Sequence, residues 1–93
     1  MNEKWQVRHT RTFYRELARL PHRIRARVEE IAFDKAIQED PFLGGRVEKL
    51  RGYRSYYKIR VGEYRVGLFV DRVNRMIEFR RVLHRKDIYR HFP

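Results

Sequence analysis

Tyr57-Lys58-Ile59-Arg60-Val61-Gly62-Glu63-Tyr64-Arg65-Val66-Gly67-Leu68-Phe69-Val70 is the stretch that decides the fold. Apolar and polar residues alternate on both sides of Gly62-Glu63, and only Phe69 breaks the pattern. Period two of this kind marks half-buried strands, and the two residues between them suit a hairpin turn. The turn sets a register in which Val61 opposes Tyr64, Arg60 opposes Arg65, Ile59 opposes Val66 and Lys58 opposes Gly67. Side chains alternate faces along a strand, so Tyr57, Ile59, Val61, Tyr64, Val66, Leu68 and Val70 share one face. Lys58, Arg60 and Arg65 share the other. Like charges directly opposite each other destabilise a sheet, and a polyanionic ligand gives a reason to keep two arginines there. Gly67 beside Lys58 leaves a gap where a ligand backbone could approach.

Downstream, Asp71 to Arg75 reads as a second turn and Met76 to Leu83 as a third strand. A four-residue loop, Arg72 to Arg75, puts Ile77 and Phe79 on the core face, opposite Val70 and Leu68. Glu78, Arg80 and Val82 then fall on the basic face, with Arg80 opposite Gly67. Arg81 points coreward at the strand end, curling to solvent or joining the site. A one-residue slip would reverse all of these assignments. His84 to Pro93 is long enough for one helical turn.

Upstream, Trp5 to His9 alternates as a short strand, and Thr10 or Thr12 suits a helix cap. Phe13, Leu17 and Leu20 lie on one face of a helix that Pro21 ends. Pro21 also fits the first turn of a second helix, whose stripe is Ile24, Val28, Ile31 and Ala32. Asp40-Pro41 stops that helix and Gly44-Gly45 marks a loop. The order is β-α-α-β-β-β. It predicts an α+β domain spanning residues 1–93, a helical hairpin packed on one face of a small antiparallel sheet.

The chain has 93 residues, 42% of them hydrophobic and 38% charged, enough apolar content for one compact core. The net charge is +11. Residues 1–45 carry 9 Lys/Arg against 7 Asp/Glu, and residues 46–93 carry 14 against 5, so the excess sits in the second half. Such an excess points to a polyanion: nucleic acid, an acidic protein or an anionic membrane. There is no cysteine, which excludes disulfides and thiolate metal sites. The start, Met1 to Trp5, has no apolar core of a signal peptide, and no apolar run is long enough to span a membrane. A soluble cytoplasmic protein is the simplest expectation.

His9, His22, His84 and His91 are too scattered for a metal site, Ser55 is the only serine, and no Gly-rich phosphate loop is present. Arginine, lysine, histidine and tyrosine remain, and that set can cleave RNA without metal. A base takes the proton of the ribose 2′-OH, arginines bind the developing phosphorane charge, and an acid protonates the leaving 5′-oxygen. A lysine or tyrosine among cations can supply the base.

Lys49-Leu50-Arg51-Gly52, Tyr57-Lys58-Ile59-Arg60-Val61, Glu63-Tyr64-Arg65-Val66 and Val82-Leu83-His84-Arg85-Lys86-Asp87-Ile88-Tyr89, in that order, resemble the RelE/ParE toxin superfamily, most closely its RelE branch. The resemblance covers almost the whole chain. It implies a type II toxin–antitoxin toxin that cleaves mRNA in the ribosomal A site without metal or other cofactor. It also implies a cognate antitoxin as partner.

By the same resemblance Lys58 is a candidate base, beside Arg60 at a position that is often lysine. Arg65 stabilises the phosphate, Arg51 contacts RNA or rRNA, and Tyr89 orients or protonates and can stack on a base. His84 and Arg85 match a common His-Arg pair, and Lys49, Arg80 and Arg81 complete the expected RNA-binding set. Arg60 keeps the charge of lysine but carries protons poorly.

Bland alternatives stand beside these. Lys58, Arg60 and Arg65 also suit docking of an acidic antitoxin helix. Tyr89 also suits a core anchor with Ile88 and Phe92, His84 a structural hydrogen bond, and Arg51 a solvated loop. Tyr53, Tyr56 and Tyr57 read as sheet-forming aromatics, although Tyr56 falls on the basic face and could stack on a nucleotide. Two other functions stay open: a ParE-like gyrase inhibitor, and a non-catalytic module that only binds an antitoxin.

Overall fold

The computed structural model describes residues 4–93, so Met1, Asn2 and Glu3 of the N-terminal stretch lie outside it. The hairpin around Gly62-Glu63 forms in the register that the alternation requires. Strand β3 (Tyr56–Val61) pairs antiparallel with β4 (Tyr64–Asp71), with Arg60 opposite Arg65 and Lys58 opposite Gly67. Gly62 adopts φ 58°, a left-handed conformation that glycine reaches without steric cost. Tyr57, Ile59, Val61, Val66, Leu68 and Val70 are buried on one face, as alternation demands.

The remaining elements, in chain order, are β1 (Gln6–His9), α1 (Arg11–Ala18), α2 (His22–Ala32), α3 (Ala36–Glu39), β2 (Val47–Lys49), β5 (Met76–His84) and α4 (Ile88–His91). A 3-10 turn, Leu43–Gly45, precedes β2. The sheet order is β1-β5-β4-β3-β2. From β2 to β5 all pairings are antiparallel, and the helical pair packs on one face of that sheet. At the far edge β1 adds parallel to β5, with Gln6 opposite Met76. The core joins Phe13 and Leu17 of α1, and Val28 and Ala32 of α2, to the inward residues of the strands.

Thr10, not Thr12, caps α1: its hydroxyl accepts the Phe13 N–H at 3.0 Å. The second helix stops earlier than Asp40-Pro41. It ends at Ala32, and after a short break the Asp34 carboxylate accepts the Ala36 N–H at 2.9 Å to open α3. Strand β2 was too short to show as a period in the sequence.

The third strand departs from simple alternation. Val70 opposes Ile77 and Leu68 opposes Phe79 as expected, but the register shifts between Gly67 and Leu68, and Gly67 faces Arg81. One extra residue on β5 forms a bulge there. Two expectations fall with it. Val82 is buried in the core instead of lying on the basic face, and Arg81, not Arg80, stands opposite Gly67.

Nor does Gly67 leave a gap. A Cβ there would lie 2.8 Å from Phe92 ring atoms, because that ring packs flat against the glycine backbone. Phe92, Ile88 and Leu50 form a second small core on the basic face, with Tyr56 and Leu83 against it. Gly67→Ala is therefore expected to cost about 1–3 kcal/mol by overpacking. Thermal denaturation checks this, at roughly 4–8 °C per kcal/mol for a domain of this size.

Candidate functional site

Strand β3 carries Tyr56, Lys58 and Arg60 in a row on the face opposite the helices. Two residues along a strand span about 6.6 Å, so these side chains are neighbours. Helix α4 comes over this row. Its buried Ile88 and the following Phe92 anchor it, which leaves Tyr89 54% exposed. Tyr89 is thus not the core anchor that its neighbours are. Its hydroxyl accepts a 3.2 Å hydrogen bond from Lys58 Nζ, which also lies 5.5 Å from the ring centroid. The fold brings together two groups 31 positions apart in the chain.

Arg65 shows how two arginines can stand opposite each other in the free protein. It is only 8% exposed, and its Nη1 donates to the carbonyls of Gly62 and Tyr64, both at 2.9 Å. Its Nε and Nη2 donate to no atom of the described residues. Arg60 opposite is exposed, and its side chain bonds to none of the described residues. The turn carbonyls thus hold one guanidinium in place while leaving donors for a ligand. Fixed donors of this kind stabilise developing negative charge without reorganisation.

The other expected RNA-binding residues divide. Arg51 is exposed in the turn after β2, and its side chain has no partner among the described residues. Lys49 is exposed opposite Tyr57, which alternation puts on the helix side of the edge strand, away from Lys58. Arg80 pairs with Glu78 at 2.6 Å and lies 4.6 Å over the Phe69 ring and 5.6 Å over Tyr56. His84 uses Nδ1 to accept the Lys86 N–H at 3.1 Å, and its ring meets Tyr64 edge-on. Arg85 pairs with Glu63 at 3.1 Å, both half-exposed, tying the hairpin turn to the end of β5.

Arg81 corrects its expectation most plainly, since it neither points into the core nor joins the row. The bulge turns it toward the edge of β5, where Glu16 of α1 receives its Nη2 at 2.6 Å and its Nε at 3.0 Å. Glu16 pushes the already high pKa of Arg81 further up, against a smaller opposing effect of burial. The same carboxylate accepts the backbone N–H of Val82 at 3.0 Å. It caps the sheet edge that β1 leaves uncovered beyond Phe79.

Sequence pattern does not reveal Glu16, because an acid on a basic helix looks like a solvated charge. Glu16→Ala is expected to lose about 2 kcal/mol, the scale of hydrogen bonds to a charged group with a buried N–H left unpaired. Urea unfolding measures it.

A depression of about 740 Å³ beside α2 and α3 is lined by three acids, Glu30, Asp34 and Asp40, against one cation, Arg46, so it does not suit a polyanion, and none of the row residues lines it. No group of His, Asp and Glu suited to a metal occurs among the described residues, and none of their helices is long and apolar enough to cross a membrane.

No protein-family model matches the chain. It is 40% identical to Toxin RelE3 of Methanocaldococcus jannaschii over 92 residues, covering 95% of this chain and 99% of that protein. It is 36% identical to Toxin RelG of Mycobacterium tuberculosis over 86 residues, covering 92% and 97%. Among solved structures, a chain of the RelB–RelE antitoxin–toxin complex from Methanococcus jannaschii superimposes with a TM-score of 0.74 at 40% identity. That match covers 92% of this chain and 99% of the other.

Proposed function

The chain belongs to the RelE branch of the RelE/ParE toxin superfamily of type II toxin–antitoxin modules, and from that premise we propose that it is a ribosome-dependent, metal-independent mRNA endoribonuclease. The observation that carries the reading is the Lys58–Tyr89 contact on a cationic face shared with Arg60 and Arg65. RNA cleavage of this type needs a proton acceptor, a proton donor and fixed positive charge within one nucleotide of each other.

In the proposed step the ribose 2′-oxygen attacks the adjacent phosphorus while Lys58 Nζ takes the 2′-OH proton. The bond from phosphorus to the 5′-oxygen breaks, and the Tyr89 hydroxyl gives that oxygen a proton. The products are a 2′,3′-cyclic phosphate and a free 5′-OH. Arg65, through Nε and Nη2, and Arg60 bind the phosphorane oxygens; Arg60 supplies charge and not proton transfer. Arg51 and Arg85 lie at the margins, where contact with ribosomal RNA would position the protein. A cognate antitoxin is the expected protein partner, as in the M. jannaschii complex. An acidic segment laid along the Lys58–Arg60 row would compete with RNA for the same charges.

Inducible expression tests the reading. Wild type should stop amino-acid incorporation within minutes while thymidine incorporation continues, and Lys58→Ala/Arg65→Ala should stop neither. An early fall in DNA synthesis with translation intact would instead support a gyrase inhibitor. Soluble wild-type protein without effect on growth would leave a module that only binds its antitoxin.

A further inference from the structure

We propose that Tyr53 is a nucleobase-stacking residue, which receives a base next to the scissile phosphate on the side of Lys58 away from Tyr89. The inference deepens the ribonuclease reading and rests on it.

Tyr53 lies in the loop between β2 and β3, not in a strand. Tyr53 is 47% exposed, and among the described residues its ring meets only the edge of the Tyr56 ring, 5.8 Å away at 83°. Tyr56 is in turn held from its other sides by Phe69, Phe92 and the Arg80 guanidinium. The exposed ring therefore rests on a rigid base, and little of the core depends on it. Its position matters more than its exposure. Tyr56 directly precedes Lys58 in the face-sharing row, so Tyr53 flanks the row at one end while Tyr89 covers Lys58 from α4.

The loop around Tyr53 is cationic. Arg51 and Arg54 are exposed and their side chains bond to nothing among the described residues, and with Tyr53 and Lys49 they line a shallow depression of about 510 Å³ at the sheet edge. An open aromatic face between free arginines suits a nucleotide, since the ring stacks on the base and the guanidinium groups meet the phosphates. An apolar protein partner would gain little from the arginines. A single aromatic face also tolerates any base, so this residue supplies affinity and register more than sequence preference.

The test uses ribosomes carrying an mRNA with a 2′-deoxy nucleotide at the attacked position in the A site, which binds without being cut. Tyr53→Ala should weaken binding about 5- to 100-fold, the range expected for one base stacked on one aromatic ring. Tyr53→Trp should restore it. An abasic nucleotide placed on one side of the scissile phosphate should weaken wild type by a similar factor and Tyr53→Ala hardly at all. That coupling distinguishes stacking from a structural role. If Tyr53→Ala binds like wild type and responds equally to abasic positions on both sides, the inference is overturned while the ribonuclease reading stands. If wild type itself fails to bind programmed ribosomes, both fall together.

Discussion

Lys58→Ala is expected to reduce single-turnover cleavage of mRNA on the ribosome by about 10²- to 10⁴-fold, the usual contribution of one positioned proton-transfer group. Its melting temperature should stay near that of wild type. Lys58 is on the sheet surface, and its side-chain hydrogen bond goes to an exposed tyrosine. Lys58→Arg separates charge from proton transfer, since arginine keeps the cation but does not give up its proton near neutral pH. If Lys58 is the base, arginine should fail almost as completely as alanine while binding programmed ribosomes normally. Activity within a few-fold of wild type in Lys58→Arg would reduce Lys58 to electrostatic support and move the base elsewhere.

Phe92→Ala should produce the second large effect, and from a residue that touches no substrate. Phe92 holds α4 against Gly67, Leu50 and Tyr56, and α4 carries Tyr89. Removing a buried phenylalanine commonly costs about 3–5 kcal/mol, but here a short helix can detach before the main core opens. The loss should therefore be local. Amide exchange at Arg90 and Phe92, whose N–H groups bond Asp87 and Ile88 carbonyls, should accelerate, while protection in β4 is kept. If Tyr89 is the acid, cleavage should fall at least about tenfold, since a loosely held acid loses the advantage of fixed geometry. Intact activity with a freely exchanging α4 would show that Tyr89 does not work from this position.

The β3–β4 hairpin was legible because turn and alternation agree there, and the observed register pairs every residue as they require. The end of β5 misled for a physical reason. Strict alternation assumes no bulge, yet Phe79 and Val82 both face the core with two arginines between them. Two polar residues flanked by core positions were the available signal. β2 has three residues and no period to read, and the Ala32–Ala36 break carries no proline or glycine. In the site, Lys58, Arg60 and Arg65 followed from the hairpin alone. Tyr89 came only from resemblance, because no local pattern reports a contact across 31 residues. Phe92 on Gly67 was hidden for the same reason, and a glycine in a strand says only that something approaches, not what.

The parallel pairing of β1 with β5 also has a kinetic side. Gln6 can find its partner only after Met76 has been made, and Thr10 likewise bonds the backbone of Phe79 and Arg80. Contacts of such long sequence separation carry a high closure entropy and slow folding. The bulge, the Glu16 cap and the placement of α1 all hang on this late closure. If the hairpin forms before β5 is made, its outer edge stays open until then, and unpaired strand edges of that kind invite association with other chains. An acidic partner present during synthesis would meet the β3–β4 face before the sheet is complete, and so would act on the folding chain as well as on the finished toxin.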